Sequence, residues 1–188
     1  MRCHSCRRFS LSLICRSCRE LYLNPEPRIR KLATGLAVLS FYGYDEIEPF
    51  LLTKHLPHGW FIYRILAAEA FKTLNNKREE GVCAIPVDDN ASGGYSHTAI
   101  LANRLRYKGY HPLVGMLHAR NRISYAGQPL AFRLQNPREF NYRGPDNIEA
   151  VLLDDIVTSG LTLQEAHGVL LRAGVTVRSA IVLADVDR

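Results

Sequence analysis

The chain reads as an α/β protein with a mainly parallel sheet flanked by helices, carried behind a small cysteine-rich module. Three observations predict this. Short apolar runs at 82–87, 111–117, 148–153 and 177–183 are separated by segments with helical apolar spacing, and such alternation produces parallel strands joined by right-handed crossovers. The run from Ala150 to Leu153 is apolar throughout, as a strand covered on both faces must be. Four of the five cysteines fall within the first 18 residues, which sets that end apart.

A chain of 188 residues accommodates one α/β domain of roughly 150 residues and a small appendage. Its 47% hydrophobic and 22% charged residues are those of an ordinary folded protein. No apolar run approaches the roughly 18 residues of a membrane span, and the basic amino end has no apolar core of a secretory signal. A cytoplasmic location is therefore expected. The net charge of +6 is unevenly placed: residues 1–31 hold eight Arg and Lys against Glu20 and Glu26, and the remainder sums to zero.

Cys3, Cys6, Cys15 and Cys18 form two C-x-x-C pairs eight residues apart. Each pair presents two thiolates from one tight turn, the arrangement that a structural zinc ion requires. Disulfides are the other use of four cysteines, but they belong to exported proteins. The expected division is a zinc ribbon with its linker at 1–27, ending in Asn24-Pro25-Glu26-Pro27, and the α/β domain at 28–188.

After a basic collar at 28–31, the run 36–44 reads as a strand, 45–56 as a helix, and 59–74 as an amphipathic helix with Phe61, Ile62, Ile65, Leu66 and Phe71 on one side. Strand 82–87 leads into the polar, glycine-containing loop 88–94, and helix 95–107 follows. The segment between Leu117 and Ile148 has no strong period. Long segments of this kind inside compact domains are usually functional or mobile. It interleaves Arg120, Arg122, Arg133, Arg138 and Arg143 with Tyr125, Phe132, Phe140 and Tyr142, which suits single-stranded nucleic acid through charge and base stacking. Phe132 and Phe140 equally suit a role in pinning the loop to the core.

The rest of the chain reads as support for the stretch from Ile148 to Val175. A buried strand ends in Asp154 and Asp155, Thr158-Ser159-Gly160 follow, and then come Leu161, Thr162, Ala166, Val169 and Leu170 at helical spacing. The carboxyl end of a parallel strand is where α/β sheets place ligands, and the amino end of the next helix attracts an anion. Gly160 allows close backbone approach, and the hydroxyls of Thr158, Ser159 and Thr162 can donate to phosphate oxygens. The acids suit a hydroxylated group beside the phosphate, with a divalent cation relieving their repulsion.

The run VLLDDIVTSGLTL resembles the phosphoribosyl-pyrophosphate (PRPP) loop of type I phosphoribosyltransferases. The cysteine pairs, the strand ending in Ile85-Pro86-Val87, and Gln128, Leu130, Arg133, Asn136 and Phe140 extend that resemblance to the ComF family of competence-associated, phosphoribosyltransferase-like proteins. It implies a type I phosphoribosyltransferase-like sheet and structural zinc on Cys3, Cys6, Cys15 and Cys18. PRPP would bind with magnesium, Asp154 and Asp155 on the ribose hydroxyls and Val157, Thr158, Ser159, Gly160, Leu161 and Thr162 around the 5′-phosphate. It also implies a part in natural transformation, with single-stranded DNA handled by Arg2, Arg7, Arg8, Arg16, Arg19, Arg120, Arg122, Tyr125 and Arg133, and an uptake helicase or inner-membrane channel as partner. An active phosphoribosyltransferase and a zinc-ribbon scaffold for the uptake machinery are the alternatives. The chain departs from the family's arginine motif after the first core strand, reading Gly93-Gly94-Tyr95-Ser96 there, and has Thr158 where purine-salvage relatives carry an acidic proton acceptor.

Overall fold

The structure, a computed structural model, describes residues 1–75, 78–87, 94–121, 125 and 127–187. The first cysteine pair lies in a turn closed by an antiparallel bridge between Arg2 and Phe9. The second opens helix α1 (Arg16–Tyr22), with Cys15 at its N-cap and Cys18 in its first turn. The collar that follows is an edge strand, β1 (Arg28–Lys31), antiparallel to β2 (Ala37–Ser40).

The single run read at 36–44 is divided. Phe41 separates β2 from β3 (Tyr42–Gly43), and α2 (Tyr44–Leu51) starts at once, its N-terminus closed by Glu46 accepting from the Gly43 amide at 2.9 Å. A 3-10 turn (Leu52–His55) leads to α3 (Gly59–Ala70). Then come β4 (Val82–Pro86), α4 (His97–Leu105), β5 (His111–Pro112), β6 (Leu117–Ala119), α5 (Leu130–Gln135) and β7 (Phe140–Tyr142). The chain ends with β8 (Glu149–Val157), α6 (Leu161–Arg172) and β9 (Thr176–Asp185). Within the segment that lacked a period in the sequence, the described residues form a small antiparallel ribbon of β6 and β7, with α5 between them along the chain.

The main sheet has seven strands in the order β1-β2-β9-β8-β4-β5, with β3 also on β9. Every pairing except β1 with β2 is parallel. One face is covered by α2, α3 and α4 through Ile47, Ile62, Leu66 and Leu101, and Cys3, Ile14 and Cys18 of the cysteine module join the same buried cluster. The other is covered by α6 and the ribbon through Leu163, Ala166, Leu170, Leu117 and Phe140. No helix among the described residues is long and apolar enough to cross a membrane.

Candidate functional site

The chain leaves β4 towards β5 on one side and leaves β8 towards β9 on the other, with α4 and α6 on opposite faces. The carboxyl ends of the adjacent strands β4 and β8 therefore flank the topological switch point, the crevice where open α/β sheets bind ligands. Here a small, open cleft of about 20 Å³ is lined by residues 156–163, Asp154 and Arg133.

Its floor is the start of α6. Gly160 is the N-cap at φ 75°, a conformation that costs an L-residue roughly 1–2 kcal/mol, and a Cβ there would meet Leu32 Cδ2 at 2.5 Å. The first helical bond runs from the Gln164 amide to Gly160 O at 2.9 Å. The amides of residues 161–163 thus lack intrahelical acceptors and, with the helix dipole, favour an anion.

Thr158 is held from two sides. Arg30 of β1 donates to its carbonyl at 2.5 Å and to Asp185 Oδ2 at 2.6 Å, with Asp187 at 3.3 Å. Arg133 of α5 donates from Nη1 to the Thr158 hydroxyl at 2.9 Å and from Nε to Gln128 O at 3.1 Å. Glu165 of α6 accepts from the amides of Arg138 and Glu139 at 2.8 and 2.6 Å, tying the α5–β7 segment to the helix.

The two acids differ in burial, although a carboxylate oxygen of each lies within 4.8 Å of the other and of a His97 ring nitrogen. Strand β8 continues through both to Val157, and consecutive strand residues point to opposite faces. Asp154 lines the cleft, and its Oδ1 accepts from the Asp155 amide at 2.8 Å. Asp155 is 4% exposed and turns into the layer beneath α3 and α4. Its Oδ2 lies 3.0 Å from the Tyr63 hydroxyl, 3.2 Å from Lys54 Nζ and 3.4 Å from His97 Nε2. Burial opposes its charge, but His97, Lys54 and the Tyr63 hydroxyl outweigh burial and hold the carboxyl far below the usual range. Asp155, expected to meet a ribose hydroxyl, is thus placed as a buried carboxylate whose three partners tie the strand end to the helices. Lys54, Tyr63, His97 and Arg30 were not singled out in the sequence. The first three stand in ordinary helical patterns and Arg30 in a basic collar, and only the fold brings them to β8.

The sulfurs of Cys3, Cys6, Cys15 and Cys18 lie within 4.8 Å of one another. Cys6 and Cys15 sulfurs are 3.7 Å apart, the edge of a tetrahedron with zinc–sulfur bonds of about 2.3 Å. Burial pushes Cys18 up to about 11. Burial also acts on Cys3, but backbone amides outweigh it and bring this thiol down to about 6, so a thiolate is available there at neutral pH. The residues fit one zinc ion. His97, Asp154 and Asp155 form a second group of possible ligands, but the Lys54 ammonium already compensates Asp155.

The residues expected to meet nucleic acid are dispersed. Arg2, Arg7 and Arg8 are exposed around the first cysteine turn, with Arg2 over the ring of Phe9, itself 84% exposed. Arg16 is paired with Glu20 at 2.8 Å. Arg19 is structural: it donates to Ile14 O at 2.9 Å and to the Ser12 hydroxyl. Tyr125 bonds to Asn136 O and carries Arg138 over its ring at 4.0 Å, so one of its faces is already covered. Arg120 is exposed, Arg122 lies outside the described residues, and Arg133 is at the cleft.

Fold and cleft together define a doubly wound α/β protein with a helix tip, a carboxylate and an arginine gathered at its switch point. Neither a scan against family models nor a search of curated proteins finds a match. Among solved structures, the chain is similar to orotate phosphoribosyltransferase from Aeropyrum pernix, at 15% identity and a TM-score of 0.40 over 90% of this chain and 80% of that one. It is also similar to UMP synthase from Leishmania donovani, at 17% and 0.40 over 84% and 28% of the two chains. An adenine phosphoribosyltransferase matches at 10% and 0.42 over 90% and 89%.

Proposed function

We propose that the cleft binds a phosphorylated ribose, with PRPP and magnesium as the intended ligand. The carrying observation is the order of groups along one strand, loop and helix: the Asp154 carboxylate, the hydroxyl-bearing loop from Thr158 to Thr162, and the open amides at the tip of α6. A 5′-phosphate fits the helix tip and a ribose hydroxyl fits Asp154. Asp154 is the residue that would help hold a magnesium ion carried in with the ligand, and the ion would supply charge neutralisation for a departing pyrophosphate. Asp154 and the loop hold the sugar while the C1–oxygen bond to pyrophosphate breaks. Thr158 offers a hydroxyl already engaged by Arg133 and is not a useful base, so the acceptor must bring its own nucleophile or proton acceptor.

Calorimetric titration of PRPP with magnesium tests this reading. Saturable binding is expected, weakened by Asp154→Asn at little cost to stability because the amide oxygen can still accept from Asp155 N. Absence of PRPP binding removes the proposal. Pyrophosphate release on adding candidate bases or amines separates a transferase from a binding protein.

A second reading has the ComF-like role of handling single-stranded DNA, favoured by exposed Arg2, Arg7 and Arg8 beside Phe9 at one tip. Phosphate contacts would make oligonucleotide binding fall steeply with salt. A flat salt response refutes it.

A further inference from the structure

Resting on the reading of the cleft as a sugar-phosphate cradle, we infer that Arg133 is a direct phosphate ligand and makes the cleft selective for a phosphate monoester. Two arginines grip Thr158, and they differ in what remains of their charge. Arg30 is spent on structure: it faces Asp185, which is buried, and Asp187. Arg133 lines the cleft, is partly buried, and has no acidic partner among the described residues.

The donor count leads to the same place. A guanidinium has five N–H groups. Arg133 uses one on Gln128 O and one on the Thr158 hydroxyl, which leaves three at a cleft whose floor is a helix tip. A planar cation with spare parallel donors matches the oxygens of a phosphate. The Thr158 bond places that cation at the loop, in the same cleft lining as residues 161–163. Helix tip and guanidinium thus approach one anion from two elements, α6 and α5, which Glu165 clamps together through the Arg138 and Glu139 amides. The α5–β7 segment completes the site, and its arginine acts on the ligand of β8 and α6.

Calorimetric titration of ribose 5-phosphate and of inorganic phosphate into wild type, Arg133→Gln and Arg133→Lys, with melting temperature measured on each, tests the assignment. A charge-assisted bond of this kind is expected to weaken ribose 5-phosphate binding roughly ten- to hundred-fold in Arg133→Gln. Arg133→Lys should recover part of it, since charge is kept and the planar fork lost. The gain in wild-type affinity as pH rises through the second phosphate ionisation near about 6 should shrink in Arg133→Gln. Wild-type-like binding by Arg133→Gln overturns the assignment and leaves the cleft reading standing. Equal loss in both variants, tracking a fall in melting temperature, overturns it in favour of a structural role. A wild-type protein that binds no sugar phosphate overturns the cleft reading and this assignment with it.

Discussion

Asp155→Asn is the substitution that separates a positioning carboxylate from a ligand-binding one. Asp155 is 4% exposed, and the groups around it are Lys54 and His97, both cationic when protonated, and the Tyr63 hydroxyl. Removing one member of a buried ion pair typically costs about 3–5 kcal/mol, because the partner charge stays in a poor environment. The Lys54 side chain is 25% exposed and can recover some hydration, and the amide oxygen of Asn can still accept from Tyr63, so the lower end, about 3 kcal/mol, is expected. For a chain of this size that corresponds to a fall in Tm of roughly 6–12 °C. A double-mutant cycle with Lys54→Met should show coupling of about 1–3 kcal/mol. The pH dependence has a definite sign. The folded Asp155 carboxyl is held below its unfolded value, so its contribution is present above roughly pH 4 and is lost as pH falls towards the folded value. Asp155→Asn should therefore flatten the acid limb of the stability profile below about pH 4. Denaturant unfolding across pH 2.5–7 makes the measurement. A loss under about 1 kcal/mol with no coupling to Lys54 would refute the reasoning and return Asp155 to the ligand side.

Two further outcomes concern the module and the loop. Cys15→Ser should reduce bound zinc from one per chain to none by elemental analysis. Because Cys3, Ile14 and Cys18 lie in the same buried cluster as α2 and α3, the whole chain should melt earlier, and zinc retained at one per chain contradicts the four-thiolate site. Gly160→Ala should cost about 1–2 kcal/mol from the left-handed backbone alone, with more from the Leu32 contact, and weaken sugar-phosphate binding; unaltered stability would show that the turn relaxes freely.

The alternation of strands and helices was legible because buried parallel strands leave apolar runs, and β4, β8 and β9 all contain theirs. The four-cysteine cluster and the start of α6 were legible for a similar reason: local spacing alone fixes them. Less legible was whatever depends on register. The pairing of β1 with β2 puts Arg30 opposite Val38 at the edge of the sheet, and nothing in Arg28-Ile29-Arg30-Lys31 announces a strand. Arg133 stands in the sequence among the arginines of a basic segment and in the motif that carries the family resemblance, with a nucleic-acid contact expected of it. Its position at Thr158 follows from the β6–β7 ribbon, whose two strands are three residues each, too short to leave a pattern.

The acidic pair carries the sharper lesson, since its geometry turns on where β8 ends. Had the strand stopped at Leu153, a turn would have followed and both carboxylates could have faced one ligand. The strand instead runs on to Val157, with Asp154 paired to Val182 and Ile156 to Ala184 of β9. A period of two then starts neighbouring side chains towards opposite faces, and Asp155 enters the layer of α3 and α4 while the Asp154 carboxylate folds back to the Asp155 amide, within 4.8 Å of its neighbour's. That layer supplies the three partners at Asp155, two of them able to carry positive charge, so the inward acid is accommodated as an ion. One carboxylate anchors the strand to the helices, and the other is left at the mouth of the cleft. The loop after them is held by Arg30 from the sheet edge and by Arg133 from the ribbon, so the ligand groups come from elements fixed independently of the ligand. If the cleft binds a sugar phosphate as proposed, its affinity should depend more on the charges at its rim, Asp154 and Arg133, than on ordering of the loop.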